Sequence, residues 1–343
     1  MSSRTGGNSR ARLLFVLVIL CYPLNAMAGF GCKAAVFRPG RTVTGCLPVG
    51  KIQRHYRLFV PDGYQATAAP LPLIIGLHGG AGTPKAFERY SQFSKLAEST
   101  GAFIAVYPQG IDRHWNDGRR MTNPGIDDMT FLRMLPGHLT KDSGLRFNQR
   151  VYVVGISNGG LMALRIACEQ PDDIAGIGVV AATLSTGLSR QCHPDKPVPI
   201  AFLFGSKDTS FLPDGRQVNP VRPEQLRGHH IGIRDSIAFW HTNNRCKSQS
   251  VSDRPLDRYN RKWGKWKDDH TRVFFERHSG CRAPLLWVDI RGGGHRWPDP
   301  SAGNNKFLVK RLGLGWATHE ISAAKILWKF FNSATSDTSA IKE

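Results

Sequence analysis

Val151-Tyr152-Val153-Val154-Gly155-Ile156-Ser157-Asn158-Gly159-Gly160 is the stretch on which the reading turns. Four apolar residues, three of them valines, suit a buried pleated strand. They run into a serine with a glycine two positions away on either side, and residues 161–167 continue apolar at helical length. The expected local structure is strand, tight turn, helix. A Cβ at Gly155 or Gly159 would meet the adjoining helix or strand, so a serine on so sharp a turn requires glycine there. The spacing is G-x-S-x-G, a motif confirmed by its strand-turn-helix context.

The rest of the chain alternates in the same way. Residues 56–60 read as an early strand closed by Pro61-Asp62-Gly63, and residues 71–77 as a buried strand followed by His78-Gly79-Gly80-Ala81-Gly82. A helix is expected over 87–100, with Phe87, Tyr90, Phe93, Leu96 and Ala97 on one face, then a strand over 103–107. Asp127-Asp128 caps a helix carrying Met129, Leu132, Leu135 and Leu139. Short strands are expected at 177–181, 200–204 and 285–290, and a closing helix around 321–331. Strands alternating with helices predict an α/β fold: a mostly parallel, doubly wound sheet with helices on both faces. No internal repeat or Ser/Pro-rich linker interrupts it, so 51–333 is expected to form one catalytic domain and 334–343 a tail.

The N-terminus reads as a targeting segment. Arg4, Arg10 and Arg12 precede an apolar core over 13–20, and Ala26-Met27-Ala28 offers small residues at the positions a signal peptidase reads, so 1–28 is expected to be removed. The apolar run is too short for a membrane span. Residues 29–50 are expected to form a surface arm. The reading is of an exported protein, extracellular or periplasmic. Removal of Cys21 leaves Cys32, Cys46, Cys168, Cys192, Cys246 and Cys281, an even set suited to an oxidising compartment. Six cysteines allow fifteen pairings and the sequence does not choose among them. Pairing by proximity gives Cys32 with Cys46, Cys168 with Cys192 and Cys246 with Cys281. No C-x-x-C or H-x-x-x-H spacing suggests a metal, and none is expected.

The formal charge is +20, about +17 once the three leader arginines are gone. Such a surface favours anionic polymers or envelopes by long-range attraction. One insertion, about 251–272, interleaves Arg254, Arg258, Arg261, Lys262, Lys265 and Lys267 with Tyr259, Trp263 and Trp266. A solvated loop is the plain reading; charge plus stacking also suits a sugar polymer or an envelope. In an exported protein these rank above nucleic acid, which is not an expected partner.

A serine hydroxyl becomes nucleophilic when a base takes its proton, and the base needs a carboxylate to fix its tautomer. With a serine on such a turn these partners follow in the order acid, then histidine. Asp208 lies in Phe204-Gly205-Ser206-Lys207-Asp208, just past an expected strand end, with Asp214 as fallback. His295 lies in Gly292-Gly293-Gly294-His295-Arg296-Trp297-Pro298, directly after the last expected strand. His78 precedes the serine and reads as architectural. The oxyanion donors are expected to be the backbone N–H groups of Asn158 and of the Gly79-Gly80-Ala81 segment, Gly80 in particular. Because Asn158 is expected to act through its backbone, its side chain is expected to matter less. Trp297, Trp115 and Asn116 are the candidate substrate contacts.

Taken together, Leu77-His78-Gly79-Gly80, Tyr107-Pro108-Gln109-Gly110, Trp115-Asn116, Asp127-Asp128-Met129-Thr130-Phe131-Leu132, the stretch around Ser157 and Gly292-Gly293-Gly294-His295-Arg296-Trp297-Pro298 resemble the secreted polyhydroxybutyrate depolymerases and the feruloyl or acetylxylan esterases. The resemblance covers about residues 50–332. It implies an α/β-hydrolase fold and a secreted serine esterase without metal or cofactor, with Ser157 as nucleophile, Asp208 as triad acid and His295 as base. Cysteines matching Cys168, Cys192, Cys246 and Cys281 recur in such proteins. The chain departs from the pattern at Arg296, where threonine is usual, at Asp299, where glycine is usual, and at Phe204, where histidine is usual. No polymer-binding appendage is expected from these residues. The expected substrates are hydroxyalkanoate oligomers or polyesters, then aryl or acetyl esters on polysaccharide, then peptides. The rival expectation is an inactive, basic envelope-binding protein on a hydrolase scaffold.

Overall fold

The computed structural model describes residues 32–65, 69–119, 122–215, 229–252, 254–257, 270–303 and 313–334. The leader segment 1–28, the tail 335–343 and most of the basic insertion lie outside them, and so do the expectations placed there.

Ten strands form one sheet: β1 Arg41–Val49, β2 Ile52–Val60, β3 Leu71–Leu77, β4 Ile104–Pro108, β5 Phe147–Ile156, β6 Gly176–Val180, β7 Ile200–Gly205, β8 Ser248–Val251, β9 Arg272–Ser279 and β10 Leu285–Arg291. Their order is β1-β2-β4-β3-β5-β6-β7-β10-β9-β8. The six central strands, β4 to β10 in that order, pair in parallel. Antiparallel pairs β1/β2 and β8/β9 extend the two edges. The parallel strands are buried along nearly their whole length, as continuous apolar runs require. One apolar cluster includes Leu73, Ile75, Val153 and Leu161, and a second includes Ile74, Val154, Leu203 and Leu327. Alternate residues of β3 and β5 thus enter different clusters, so the sheet is covered on both faces.

Seven helices complete the described fold: α1 Pro84–Ser91, α2 Phe93–Thr100, α3 Asp128–Ser143, α4 Asn158–Glu169, α5 Thr186–Gln191, α6 Ile233–Asn243 and α7 Ala323–Ser333. The single helix expected over 87–100 is broken at Gln92, whose φ of 64° ends α1 and starts α2. Asp127 alone caps α3, accepting from the Thr130 N–H at 2.9 Å. Asp128, expected to share that role, is wholly buried and paired with buried Arg54.

Part of the expected surface arm is sheet. Residues 41–49 pair along their full length with β2, and Leu47 joins the core. The strand β9 was likewise not expected from the sequence. Its inward residues Val273 and Phe275 are separated by partly exposed Phe274, so the apolar run does not alternate. All three disulfides pair by proximity: Cys32–Cys46, Cys168–Cys192 and Cys246–Cys281.

Candidate active site

The strand order reverses between β3 and β5: β4 lies to one side of β3, while β5 and β6 proceed to the other. Such a switch point opens a crevice at the carboxyl ends of the strands. Both glycine-rich loops lie there, His78-Gly79-Gly80 after β3 and Ser157 after β5.

Ser157 occupies a φ of 55° and a ψ of −123°, a conformation that costs an L-residue about 1–3 kcal/mol. Its neighbours permit it. A Cβ on Gly155 would stand 2.1 Å from the Gly159 carbonyl oxygen, and one on Gly159 would stand 2.4 Å from that of Leu77. The helix α4 therefore begins in direct backbone contact with β3. Ser157 is buried, and an ideal Cβ on Gly79 would lie 3.5 Å from the Ser157 Cβ, so the loop after β3 lies against the serine. Asn158 opens α4, where the first N–H groups of a helix have no intrahelical acceptor.

Asp208 and His295 come together over 87 residues of chain. His295 Nδ1 lies 2.8 Å from Asp208 Oδ2. The other carboxylate oxygen, Oδ1, accepts from the Ser210 and Phe211 N–H groups at 2.8 and 2.9 Å. Asp208 is buried, and four donors or rings fix the pair: those two amides, the imidazole, and the Phe211 ring stacked on His295 at 5.7 Å and 10°. With Nδ1–H given to the carboxylate, Nε2 is the nitrogen left with a lone pair. Gly205, where β7 ends, packs against the Gly293 and Gly294 backbone so closely that a Cβ would reach 2.4 Å from the Gly293 oxygen. That close approach brings the two loops into register.

His78 has an architectural position. Its Nδ1 donates to the Gly79 carbonyl at 2.8 Å, and its Nε2 accepts from the Gly110 N–H at 3.1 Å. Burial pushes its imidazole down to about 4, so it is neutral at ordinary pH. Trp115 is also fully buried. Its Nε1 donates to the His78 carbonyl at 2.9 Å, which makes it part of the wall that holds the loop, not a surface for substrate. Asn116 uses its side chain on the Ile126 carbonyl at 2.8 Å and its N–H on Asp128 at 2.6 Å. Full burial corrects the expectation of substrate contact for Trp115, whereas Asn116 is half-buried with its side chain engaged internally. The polar groups of this segment are committed to backbone and buried partners.

A second correction concerns Asn158. Its side chain clamps the 115–117 segment, accepting from the Trp115 N–H at 2.8 Å and donating to the Trp115 carbonyl at 3.0 Å and to Asp117 at 2.6 Å. Asp117 is buried and paired with Arg119 at 2.6 Å. An amide has both donor and acceptor, and this position uses both. Sequence reading missed Asp117, which sits next to the quoted Trp115-Asn116, and Phe211, three residues beyond Asp208.

Trp297 is mostly buried, packed edge-on against Phe87 at 5.3 Å and Phe93 at 6.0 Å. It nevertheless lines, with His295, Arg296, Tyr90, Gln92 and Arg89, a cleft of about 470 Å³. Trp297 therefore borders open space beside His295.

For a metal, the group among the described residues is His241, Cys246 and His278. Cys246 is tied to Cys281, and the two imidazoles are bonded to each other, Nδ1 to Nδ1, at 2.7 Å. A disulfide sulfur is not a thiolate ligand.

The family model "Esterase: Putative esterase" matches residues 51–280. The chain belongs to this esterase family. Similar curated proteins include "Putative esterase NocK" of Nocardia uniformis subsp. tsuyamanensis, 33% identical over 253 residues, 71% of each chain. Feruloyl esterase B of Thermothelomyces thermophilus is 31% identical over 122 residues, 34% of this chain and 39% of that one. Poly(3-hydroxyalkanoate) depolymerase C of Paucimonas lemoignei is 27% identical over 193 residues, 53% of this chain and 42% of that one. The protein is thus an esterase of the α/β-hydrolase type, and the matched region of the family contains the β5–α4 turn and Asp208.

Proposed function

We propose that this esterase is an exported serine hydrolase that cleaves carboxylic esters through an acyl-Ser157 intermediate, acting on hydroxyalkanoate oligomers or polyesters. Ser157 Oγ attacks the ester carbonyl carbon while His295 Nε2 takes its proton. His295 then protonates the leaving alkoxide oxygen as the C–O bond breaks. Water, activated by the same nitrogen, attacks the acyl-enzyme and releases the acid. Asp208 holds the tautomer and stabilises the imidazolium. The Asn158 N–H at the head of α4 and that of Gly80 receive the oxyanion, each such donor contributing about 3 kcal/mol to the transition state.

The observation that carries this reading is the 2.8 Å bond between His295 and Asp208, both beyond the carboxyl ends of central parallel strands, as is Ser157 in its strained turn. The polyester preference draws on the relative named as a poly(3-hydroxyalkanoate) depolymerase; the relative named as a feruloyl esterase favours polysaccharide esters as the second reading. Export fits three disulfides and the leader-like residues 1–28. We take 51–333 as the catalytic domain, and anionic polymer or envelope as the partner of its charge. Among the described residues no helix is long and apolar enough to cross a membrane.

The test is hydrolysis of a short-chain p-nitrophenyl ester and of a hydroxybutyrate oligomer by the mature protein and by Ser157→Ala. Both activities are expected in the first and neither in the second. Ester turnover without oligomer turnover would move the substrate to polysaccharide esters. Turnover of neither, with anionic-polymer binding intact, would favour the inactive binding protein.

A further inference from the structure

The cleft beside His295 has a chemical bias of its own. Arg296 follows the histidine directly and lines the same space, as does Arg89 from the last turn of α1. No carboxylate lines this cleft among the described residues. The Arg296 Nη2 donates to the Gly303 carbonyl at 2.8 Å, which anchors one arm of the guanidinium. Among the described residues its buried Nη1 has no acceptor, and the buried Nε1 of neighbouring Trp297 has none either. Both orphaned groups are donors.

A buried donor without a partner is unfavourable, and more so when it belongs to a cation. Burial also pulls the Arg296 guanidinium below its ordinary value, although it remains charged. Such a group is satisfied when an acceptor arrives, and a planar guanidinium matches a carboxylate through paired N–H···O bonds. Arg296 and His295 line one cleft, so a ligand of this cation that is also a substrate carries its charge close to the scissile ester. A hydroxyalkanoate oligomer meets this at one place. The unit at its acid end leaves as an alcohol that bears a free carboxylate.

We propose that Arg296, assisted by Arg89, forms a carboxylate subsite that directs the esterase to the ester bond nearest the acid end of a short hydroxyalkanoate oligomer. This rests on the hydrolytic reading above. Cleavage there transfers the acyl group to Ser157 and releases the terminal hydroxyacid, its new hydroxyl protonated by His295. The subsite acts on chain ends, so the fitting substrates are soluble oligomers of the kind a polymer-cleaving hydrolase must supply.

The test compares the linear dimer of 3-hydroxybutyrate, as free acid, with its C-terminal N-methylamide, which has the same ester bond and no charge. The wild type is expected to favour the acid in kcat/KM by about tenfold or more, mainly through KM. Arg296→Gln should bring the ratio near one, Arg296→Lys should restore part of it, and Arg89→Gln should lower it less. A ratio near one in the wild type, or a wild-type ratio that Arg296→Gln leaves unmoved, overturns the subsite while leaving the esterase reading intact. A preference confined to acetylated uronic-acid sugars over their amides overturns the oligomer assignment. Failure of the wild type on both dimers and on a p-nitrophenyl ester removes the hydrolytic reading, and the subsite falls with it.

Discussion

Asn158 → Ala separates two roles that the sequence merged. Its backbone N–H is the proposed oxyanion donor, whereas its side chain satisfies the Trp115 N–H and carbonyl and the buried Asp117. Truncation leaves these groups unpaired, and a loss of about 1–3 kcal/mol is expected by urea unfolding, with a fall in kcat as the 115–117 segment loosens. Wild-type stability in that variant would contradict the clamp. Asp208→Asn should keep the fold and lower kcat by roughly 10⁴, because an amide can donate to Nδ1 and select the wrong tautomer. His78 gives a pH signature. Its imidazole titrates at about 4 when folded and near 6.5 when unfolded, so the unfolded chain takes up the proton first. Stability is full above about 6.5 and is lost as pH falls from there to about 4, by about 3 kcal/mol. His78→Gln should flatten that part of the stability–pH curve.

At the scale of elements, most of what was legible in the sequence came from burial on both faces. The parallel strands β3, β4, β5, β6, β7 and β10 each contain a continuous apolar run, and each was readable because a central strand needs no polar alternation. The edge strands were not. β1 buries only Cys46 and Leu47 and β8 exposes all of its residues, so their pairing is set by the neighbouring strand and leaves no periodic mark. Ser157, His295 and Asp208 stand out in the sequence as candidates because glycines and strand ends surround them. Asp117 and the Arg54–Asp128 pair do not, since partners 41 to 74 residues apart carry no local pattern. The closing helix α7 offers a direct check on packing. Phe331 is fully buried and stacks on Tyr152 of β5 at 4.3 Å, so Phe331→Ala should cost about 3–5 kcal/mol, readable as a shift in denaturant midpoint at constant m.

The whole molecule joins a buried, hydrogen-bonded Asp208–His295 pair to a strongly cationic chain. A formal charge of +20 acts at a distance and is screened by salt, whereas the buried Asp208–His295 pair is screened little. Binding to anionic vesicles or heparin should therefore weaken steeply with salt and be the same in wild type and Ser157→Ala. Equal retention at low and high salt would contradict a role for the charge. The disulfides bear on the same scale. Cys168–Cys192 closes a 24-residue separation, and its loss as Cys168→Ala/Cys192→Ala should cost about 3 kcal/mol in thermal or denaturant unfolding.

The most direct test of the central claim is intact-mass and peptide analysis after reaction with an alkyl p-nitrophenyl phosphonate, which traps an activated serine as a stable adduct. One adduct per chain, located on Ser157, absent from Ser157→Ala and strongly slowed in His295→Ala, is the predicted result. A wild type left unmodified, or modified equally well in the His295→Ala variant, would contradict the account.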